Sequence, residues 1–282
     1  MKPGRLRFRG SRALSLTLAM LGLLGLIRQP ASAQSGGGSA TPAPAAADPI
    51  ERKAMDTLKA ACDVLAGAKA MSFTATSTYE KAARNGQPLY YAVQNRVTMQ
   101  RPDKLRVITP GDGIPDAFYY DGKSVMAYVP SAEVVAIASA PPTIDDMVDF
   151  VWNAAAIYFP FVDVILSRPC DVFEHEGLNS AFYVGQSHVV GDTVTDMVAV
   201  AADNVQAELW IGVQDHLPRM VRVVYPHEPA HALYQTEYTD WKLMEAAEPG
   251  AFTTNKAEKA QRIPFQPPGT TATAPNTAPT RP

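Results

Sequence analysis

The sequence predicts an α+β fold built on an antiparallel sheet, and three observations carry that prediction. Apolar and polar residues alternate over stretches separated by Asn-Gly and Asp-Gly pairs, the pattern of hairpin-linked strands. Two other stretches repeat their apolar residues at helical spacing and carry one apolar stripe each. The order along the chain is helix, strands, helices, strands, which suits an antiparallel sheet with helices packed on it.

The first 33 residues hold Lys2, Arg5, Arg7, Arg9 and Arg12, then the apolar run ALSLTLAMLGLLGLI, then Ala31-Ser32-Ala33. A basic start, a short apolar run and small residues predict a secretory signal peptide cut after Ala33. No later stretch is as long and apolar as a membrane-spanning helix, so an integral membrane protein is not expected. Without the leader's six basic residues the chain keeps 19 basic against 28 acidic side chains. That excess of acid disfavours nucleic acid as a partner. Residues 34–47, QSGGGSATPAPAAA, read as a flexible linker, and residues 266–282 read as a disordered tail. One domain is expected between them, over residues 48–265, long enough for a sizeable core.

Within that domain a helix is expected to start at Asp48, with Pro49 in its first turn and Glu51 completing a capping box. Ile50, Ala54, Leu58, Ala61 and Leu65 form its stripe, and Gly67 stops it. Met71, Phe73, Ala75, Ser77 and Tyr79 then alternate with polar residues. After Asn85-Gly86 so do Leu89, Tyr91, Val93, Val97 and Met99. Pro102 and Pro110 bracket a short third strand, KLRVIT. AFYYDGKSVMAYV centres a hairpin on Asp121-Gly122, and its large residues Phe118, Tyr119, Tyr120, Met126 and Tyr128 cannot share one face. Such a sheet must be covered on both sides or enclose a cavity.

Thr143 opens the next helix, whose Ile144, Met147, Val148, Val151 and Trp152 share a stripe; Pro160 breaks it, and FVDVILS supplies a short further turn. The acidic side chains of Asp145, Asp146 and Asp149 complement the helix dipole. Strands resume in AFYVGQSHVV, DTVTDMVAVAA and AELWIGVQDHLPRMVRVVYP, the last turning at Asp215-His216-Leu217-Pro218. Cys62 and Cys170 read as two buried thiols, although an oxidising compartment would permit a disulfide.

The leader, the N-terminal helix, the phrases RPDKLRV and YYDGKSVMAYVP, the central helical pair, then LWIGVQDHLPRMVRVVY, YTDWKLM and AQRIPF resemble a family of predicted periplasmic proteins. The resemblance covers roughly residues 48–265. It implies the fold of the outer-membrane lipoprotein carriers (LolA-like), a curved antiparallel sheet forming an incomplete β-barrel with helices covering its concave face. It also implies a periplasmic or secreted protein. No residue matches a lipid-gripping position of those carriers, so the resemblance brings no site residues with it.

One motif competes with that picture. In YPHEPAH, His227, Glu228 and His231 spell H-E-x-x-H, in which two helical histidines hold zinc and the glutamate acts as base. Pro226 and Pro229 flank and interrupt it, and strand-like residues stand on both sides. A strand, loop and returning strand over ALYQTEYTDWKL therefore fit better than a helix over AHALYQTEYTDWKLMEAAE. Glu174-His175-Glu176 reads as a solvated turn. Neither a metal nor another cofactor is expected. The favoured function is binding of a lipid or other apolar small molecule, without catalysis. Phe73, Tyr79, Tyr91, Tyr120, Met126, Tyr128, Trp152 and Trp210 are the expected lining. A zinc hydrolase using the histidine pair and an envelope module that binds another envelope protein are the alternatives.

Overall fold

The computed structural model describes residues 49–111, 115–171, 177–227 and 233–267. The expected leader, linker and most of the tail lie outside them, as do Glu174-His175-Glu176, Glu228 and His231. One helix, α1 (Arg52–Gly67), precedes six strands: β1 (Ala70–Ala82), β2 (Pro88–Gln100), β3 (Lys104–Thr109), β4 (Asp116–Tyr120), β5 (Ser124–Val129) and β6 (Val134–Ser139). Helices α2 (Ile144–Ala155) and α3 (Val162–Ile165) follow. Then come β7 (Ser180–Ser187), β8 (Thr195–Ala202), β9 (Val205–Gly212), β10 (Pro218–Val224), β11 (Leu233–Met244) and β12 (Gln261–Ile263).

All twelve strands join one curved, open sheet in the order β12-β6-β5-β4-β3-β2-β1-β11-β10-β9-β8-β7. Every pairing is antiparallel except β12 with β6. The fold is thus α+β, with helices over the concave face. Each half of the chain forms a meander, and β1 joins the halves by pairing with both β2 and β11.

Two clusters of buried side chains occupy the concave face. In the larger, Met71, Phe73, Val97, Met99, Leu105, Val107, Phe118, Tyr120 and Val125 of β1–β5 meet Ile144, Met147 and Val151 of α2 and Val164 and Ile165 of α3. In the smaller, Ala54, Leu58 and Ala61 of α1 cover Ala181, Val198, Val200 and Ile211 of β7–β9. Of the helical stripes read from the sequence, Ala54, Leu58, Ala61, Leu65, Ile144, Met147, Val148 and Val151 make these contacts, whereas Ile50 and Trp152 are exposed.

The start of α1 departs from expectation. Glu51 occupies the N-cap without a side-chain cap bond, and Pro49–Glu51 are not helical. They extend along the free edge of β7 instead: Ala181 N–H donates to Pro49 O (2.8 Å), Glu51 N–H to Ala181 O (2.7 Å), and Tyr183 N–H to the Glu51 carboxylate (2.9 Å). A sheet edge left bare invites pairing with another chain, and covering it outweighs one more helical turn. At α2 the cap is as the sequence implies, with Thr143 Oγ1 accepting from Asp146 N–H (3.1 Å). That helix ends at Ala155, before Pro160, because Ala156 turns left-handed at φ 54°.

Cys62 and Cys170 form a disulfide with Cα atoms 5.8 Å apart, correcting the reading of two buried thiols. Both side chains are only half-buried, one on α1 and the other beyond α3. Arg101, between β2 and β3, ties the same two regions together. Its guanidinium donates to Leu65 O of α1 (3.2 Å), to Ile165 O of α3 (3.1 Å) and to Leu166 O just after it (2.8 Å).

The outer face of the β4–β5 hairpin is covered too. Ala247 N–H, beyond β11, donates to the outward-facing Gln100 side chain (3.0 Å). The chain then runs to β12 at the other edge with Phe252 and Ala257 buried on the way. Ala117 and Val135 are buried on that outer face. This crossing resolves the apolar character of both hairpin faces.

Replacing both cysteines by serine frees a segment of 108 residues. The expected loss is about 2–4 kcal/mol, read as a lower urea midpoint. Arg101→Ala is expected to cost about 2–3 kcal/mol, from charged hydrogen bonds that water replaces poorly. Arg101→Lys should recover only part of that loss, since one ammonium cannot span carbonyls of two helices as the planar fork does.

Candidate functional site

Strand pairing fixes which side chains share the concave face. One continuous row across it is Ala181, Val200, Ala207, Val223, Tyr234, Tyr79 and Tyr91, from β7 to β2. Helix α1 covers the β7–β9 end of the face, and α2 with α3 covers β1–β5 nearer the middle of the strands. Between the covers the Tyr234–Tyr79–Tyr91 end of the row stays open to water, with Tyr234 37% and Tyr91 44% exposed. These three rings stack, with centroids 6.2 Å apart from Tyr234 to Tyr79 and 5.6 Å from Tyr79 to Tyr91. Tyr225 stands perpendicular to Tyr234 at 5.8 Å.

The connection from α2 to α3 brings two more rings. Tyr158 is 58% exposed and packs edge-on against Trp152, itself 40% exposed, at 6.2 Å. Tyr158 stands close enough to Tyr225, Tyr234 and Asp163 for their charges to raise its pKa, beneath the larger effect of burial. The opening is therefore bordered by aromatic side chains from β1, β2, β11, the turn just after β10 and the end of α2 with the segment that follows it.

Asp163 is the second residue of α3, between the packed Val162 and Val164. Its side chain is exposed to water, yet surrounding protein pushes its carboxyl above the ordinary 3.8. Burial, and after it the charge of Asp163, raises the hydroxyl of Tyr238, which is buried on the concave face of β11. Polar groups pave the face beside it. Ser77 and Thr236 share a hydrogen bond (2.8 Å), and Thr109 Oγ1 donates to Asn95 Oδ1 (3.1 Å). Asn95 is 5% exposed, and its Nδ2 has no hydrogen-bond partner among the described residues.

The eight residues expected to line a cleft are not brought together. Tyr79, Tyr91 and Trp152 belong to the open ring. Phe73 and Tyr120 share its face but fill the core, Phe73 against Phe161 (5.7 Å) and Tyr120 by donating its hydroxyl to Pro141 O. Burial holds the Tyr120 hydroxyl up at about 12. Met126 and Tyr128 pair with Ile137 and Val135 on the outer face, and Trp210 lies there too, between Met197 and Met220. Tyr158, Tyr225, Tyr234 and Asp163, which complete the site, were not singled out from the sequence. Tyr234 was legible, since it alternates with Thr236 and Tyr238 along one strand. Tyr158 and Asp163 lie around a helix break, where periodicity carries no signal.

The zinc motif fares differently. Val224 pairs with Leu233, and β11 begins there, so the helix required by the alternative over AHALYQTEYTDWKLMEAAE is absent from Leu233 onward. His227 lies in a turn with Nε2 3.0 Å from Asp203 O. Among the described residues no three His, Cys, Asp or Glu side chains gather as metal ligands. No described helix is long and apolar enough to cross a membrane.

An open half-barrel with helices across its concave face and an aromatic mouth defines the class. The chain belongs to the family described as predicted periplasmic protein (DUF2092), whose model matches residues 54–266. A search of curated proteins finds no match. Among solved structures it is similar to an uncharacterised conserved protein of Thermus thermophilus (14% identity, 76% of this chain and 99% of that one, TM-score 0.42). It is also similar to a MucA/MucB complex of Pseudomonas aeruginosa (15%, 75% and 63%, 0.39) and to a LolA superfamily protein of Nitrosomonas europaea (12%, 71% and 97%, 0.31). Likeness that loose transfers neither ligand nor partner.

The raised carboxyl of Asp163 has a consequence for stability. It holds its proton more tightly folded than unfolded, so it favours the folded state at low pH. That contribution is lost as pH rises through the raised value. Asp163→Asn should match the wild type at about pH 2, well below the ordinary aspartate range, and be the more stable protein at pH 7. Urea midpoints at the two pH values measure the difference.

Proposed function

We propose that the protein is a periplasmic binding protein, without catalytic activity, that holds an apolar ligand such as a lipid or acyl chain in the recess between its two helical covers. The observation that carries this reading is the open Tyr234–Tyr79–Tyr91 stack, faced by Tyr158 and Trp152 where the rest of the concave face is closed by helices. Five aromatic rings around an opening are expensive to leave in water, and covering apolar area is worth about 25 cal/mol per Å². An acyl chain laid along them gains affinity from area alone. The leader supports export, with cleavage after Ala33 and a short linker before the domain at residues 48–265. The disulfide suits the oxidising compartment to which that leader would send the chain.

A second reading has its own observation. Phe73 and Tyr120 are fully packed, so the middle of the concave face has no room for a ligand. An envelope interaction module would need none.

A fluorescent fatty-acid probe separates the two. Saturable binding, displaced by unlabelled lipid and weakened about tenfold when Tyr79 and Tyr91 are both changed to serine, is the expected result. Met126→Ser and Tyr128→Ser, on the outer face, should leave it unaltered. Absence of saturable binding across several lipid classes would leave the interaction module as the account.

A further inference from the structure

Helix α2 carries an arrangement on its solvent side that an apolar ligand does not require. Trp152 near its end and Tyr158 just beyond it are both exposed, with ring centroids 6.2 Å apart and planes at 72°. Two open rings set steeply to one another form a slot with an apolar wall and floor. Each ring also has a polar tip, an indole N–H and a phenol hydroxyl, able to donate a hydrogen bond. Asp149, exposed and three residues before Trp152, lies next to it on the helix surface.

A proline-rich segment of the same chain starts beside this slot. After β12, Phe265 stacks on Phe150 of α2, with centroids 5.9 Å apart and planes at 3°, and both rings pack against the larger core cluster. Phe150 and Trp152 stand on either side of the buried Val151. The anchor and the slot are therefore separated by the width of one helix, about 10 Å. Beyond Phe265 and Pro267 the chain continues through residues 268–282, PGTTATAPNTAPTRP. Its apolar side chains are prolines, alanines and threonine methyls, none of which could enter a core. Pro279-Thr280-Arg281-Pro282 has the P-x-x-P spacing of polyproline II segments that dock on aromatic-lined grooves, with the segment's basic residue inside it.

We propose that Trp152 and Tyr158 form an internal docking site for the chain's own segment 268–282. Pro279 and Pro282 lie against the two rings, and the indole N–H and phenol hydroxyl donate to carbonyls that polyproline II leaves without partners. Arg281 pairs with Asp149. Reach is sufficient: from Phe265 to Pro279 an extended polyproline II chain covers about 43 Å, and a flexible one averages about 20 Å. A tether of that length over so short a span gives a local concentration on the order of millimolar, which favours this occupant over a free peptide of similar sequence. The docking does not depend on what the recess binds. Because Tyr158 borders the opening, the docked segment narrows it.

The experiment is acrylamide quenching of tryptophan fluorescence in the mature full chain with its disulfide intact. Trp152→Phe, at an exposed position, identifies the contribution of Trp152 against those of Trp210 and Trp241. Changing Pro275, Pro279 and Pro282 together to alanine should raise the quenching of Trp152 about twofold, because the released segment no longer shields it, with the urea midpoint unchanged. Arg281→Glu should give part of the same rise. Equal quenching in the parent and the triple variant overturns the proposal. Shielding that fades as the protein is diluted also overturns it, since the occupant would then be the segment of a neighbouring chain. No lipid enters this measurement, so its failure and that of the fatty-acid titration are read separately.

Discussion

The guanidinium of Arg101 is the contact on which the arrangement depends. A half-barrel does not close on itself, so its concave face must be roofed by helices, and these must be fixed to the sheet by more than apolar contact. Arg101 projects from the end of β2 and reaches carbonyls at the C-terminal ends of α1 and α3 together. Those ends carry the negative pole of each helix and carbonyls with no partner inside it. One planar cation with several donors answers both needs where a neutral side chain could satisfy one carbonyl. Burial lowers its pKa and the nearby Asp145 raises it, but arginine remains charged at any pH the fold survives. Asp145 also accepts from Ser167 N–H (3.0 Å), so the end of α3 is held from both sides. The Cys62–Cys170 bridge repeats the link covalently.

Much of this was legible in the sequence, and the exceptions share a cause. The Asp121-Gly122 turn was readable because Asp121 Oδ1 takes Lys123 and Ser124 N–H groups and Gly122 adopts φ 89°, both local requirements. Thr143 was readable as a cap for the same reason. Failures arose wherever a distant segment decided the matter. Asp48-Pro49-Ile50-Glu51 has the chemistry of a helix start, but the bare edge of β7, more than a hundred residues away, claims Pro49–Glu51. The short β12 pairs in parallel with β6 after a crossing over the outer face, and no three-residue stretch announces such a partner. The aromatic lining split between faces because alternation gives parity along one strand, whereas the face is assigned only by the helices. Phe118 and Tyr119 are neighbours in sequence and opposite in the fold.

The candidate site departs from the rules that hold elsewhere in the domain. Its carboxyl is desolvated without a partner, its Asn95 amide has a buried atom unmatched, and its rings stand in water. Each departure costs stability; the packed region around Phe73, Leu105 and Ile165 carries one of the same kind, in the unpartnered Nε of Arg101. What sets the opening apart is its exposed rings, the kind of local conflict with good packing that a binding surface leaves. Ser77 and Thr236 show the contrasting solution on the same face, two buried hydroxyls that satisfy each other.

The irregularities in strand register carry one more consequence. The β1–β11 pairing slips between Ser72 and Thr74, where Asp240 takes φ 57°, and the β9–β10 pairing slips between Pro218 and Met220. These two slips flank the β10–β11 pair, the strip between the two helical covers; a third lies in the β7–β8 pairing, between Tyr183 and Gly185. A ladder that skips a rung bends more readily than one that does not. The strip beneath the open rings is thus bordered by a bulge on each side, where the strands bend and twist more strongly. The curvature set by those bulges fixes how far apart the two covers stand, so backbone register shapes the opening as much as the side chains around it do.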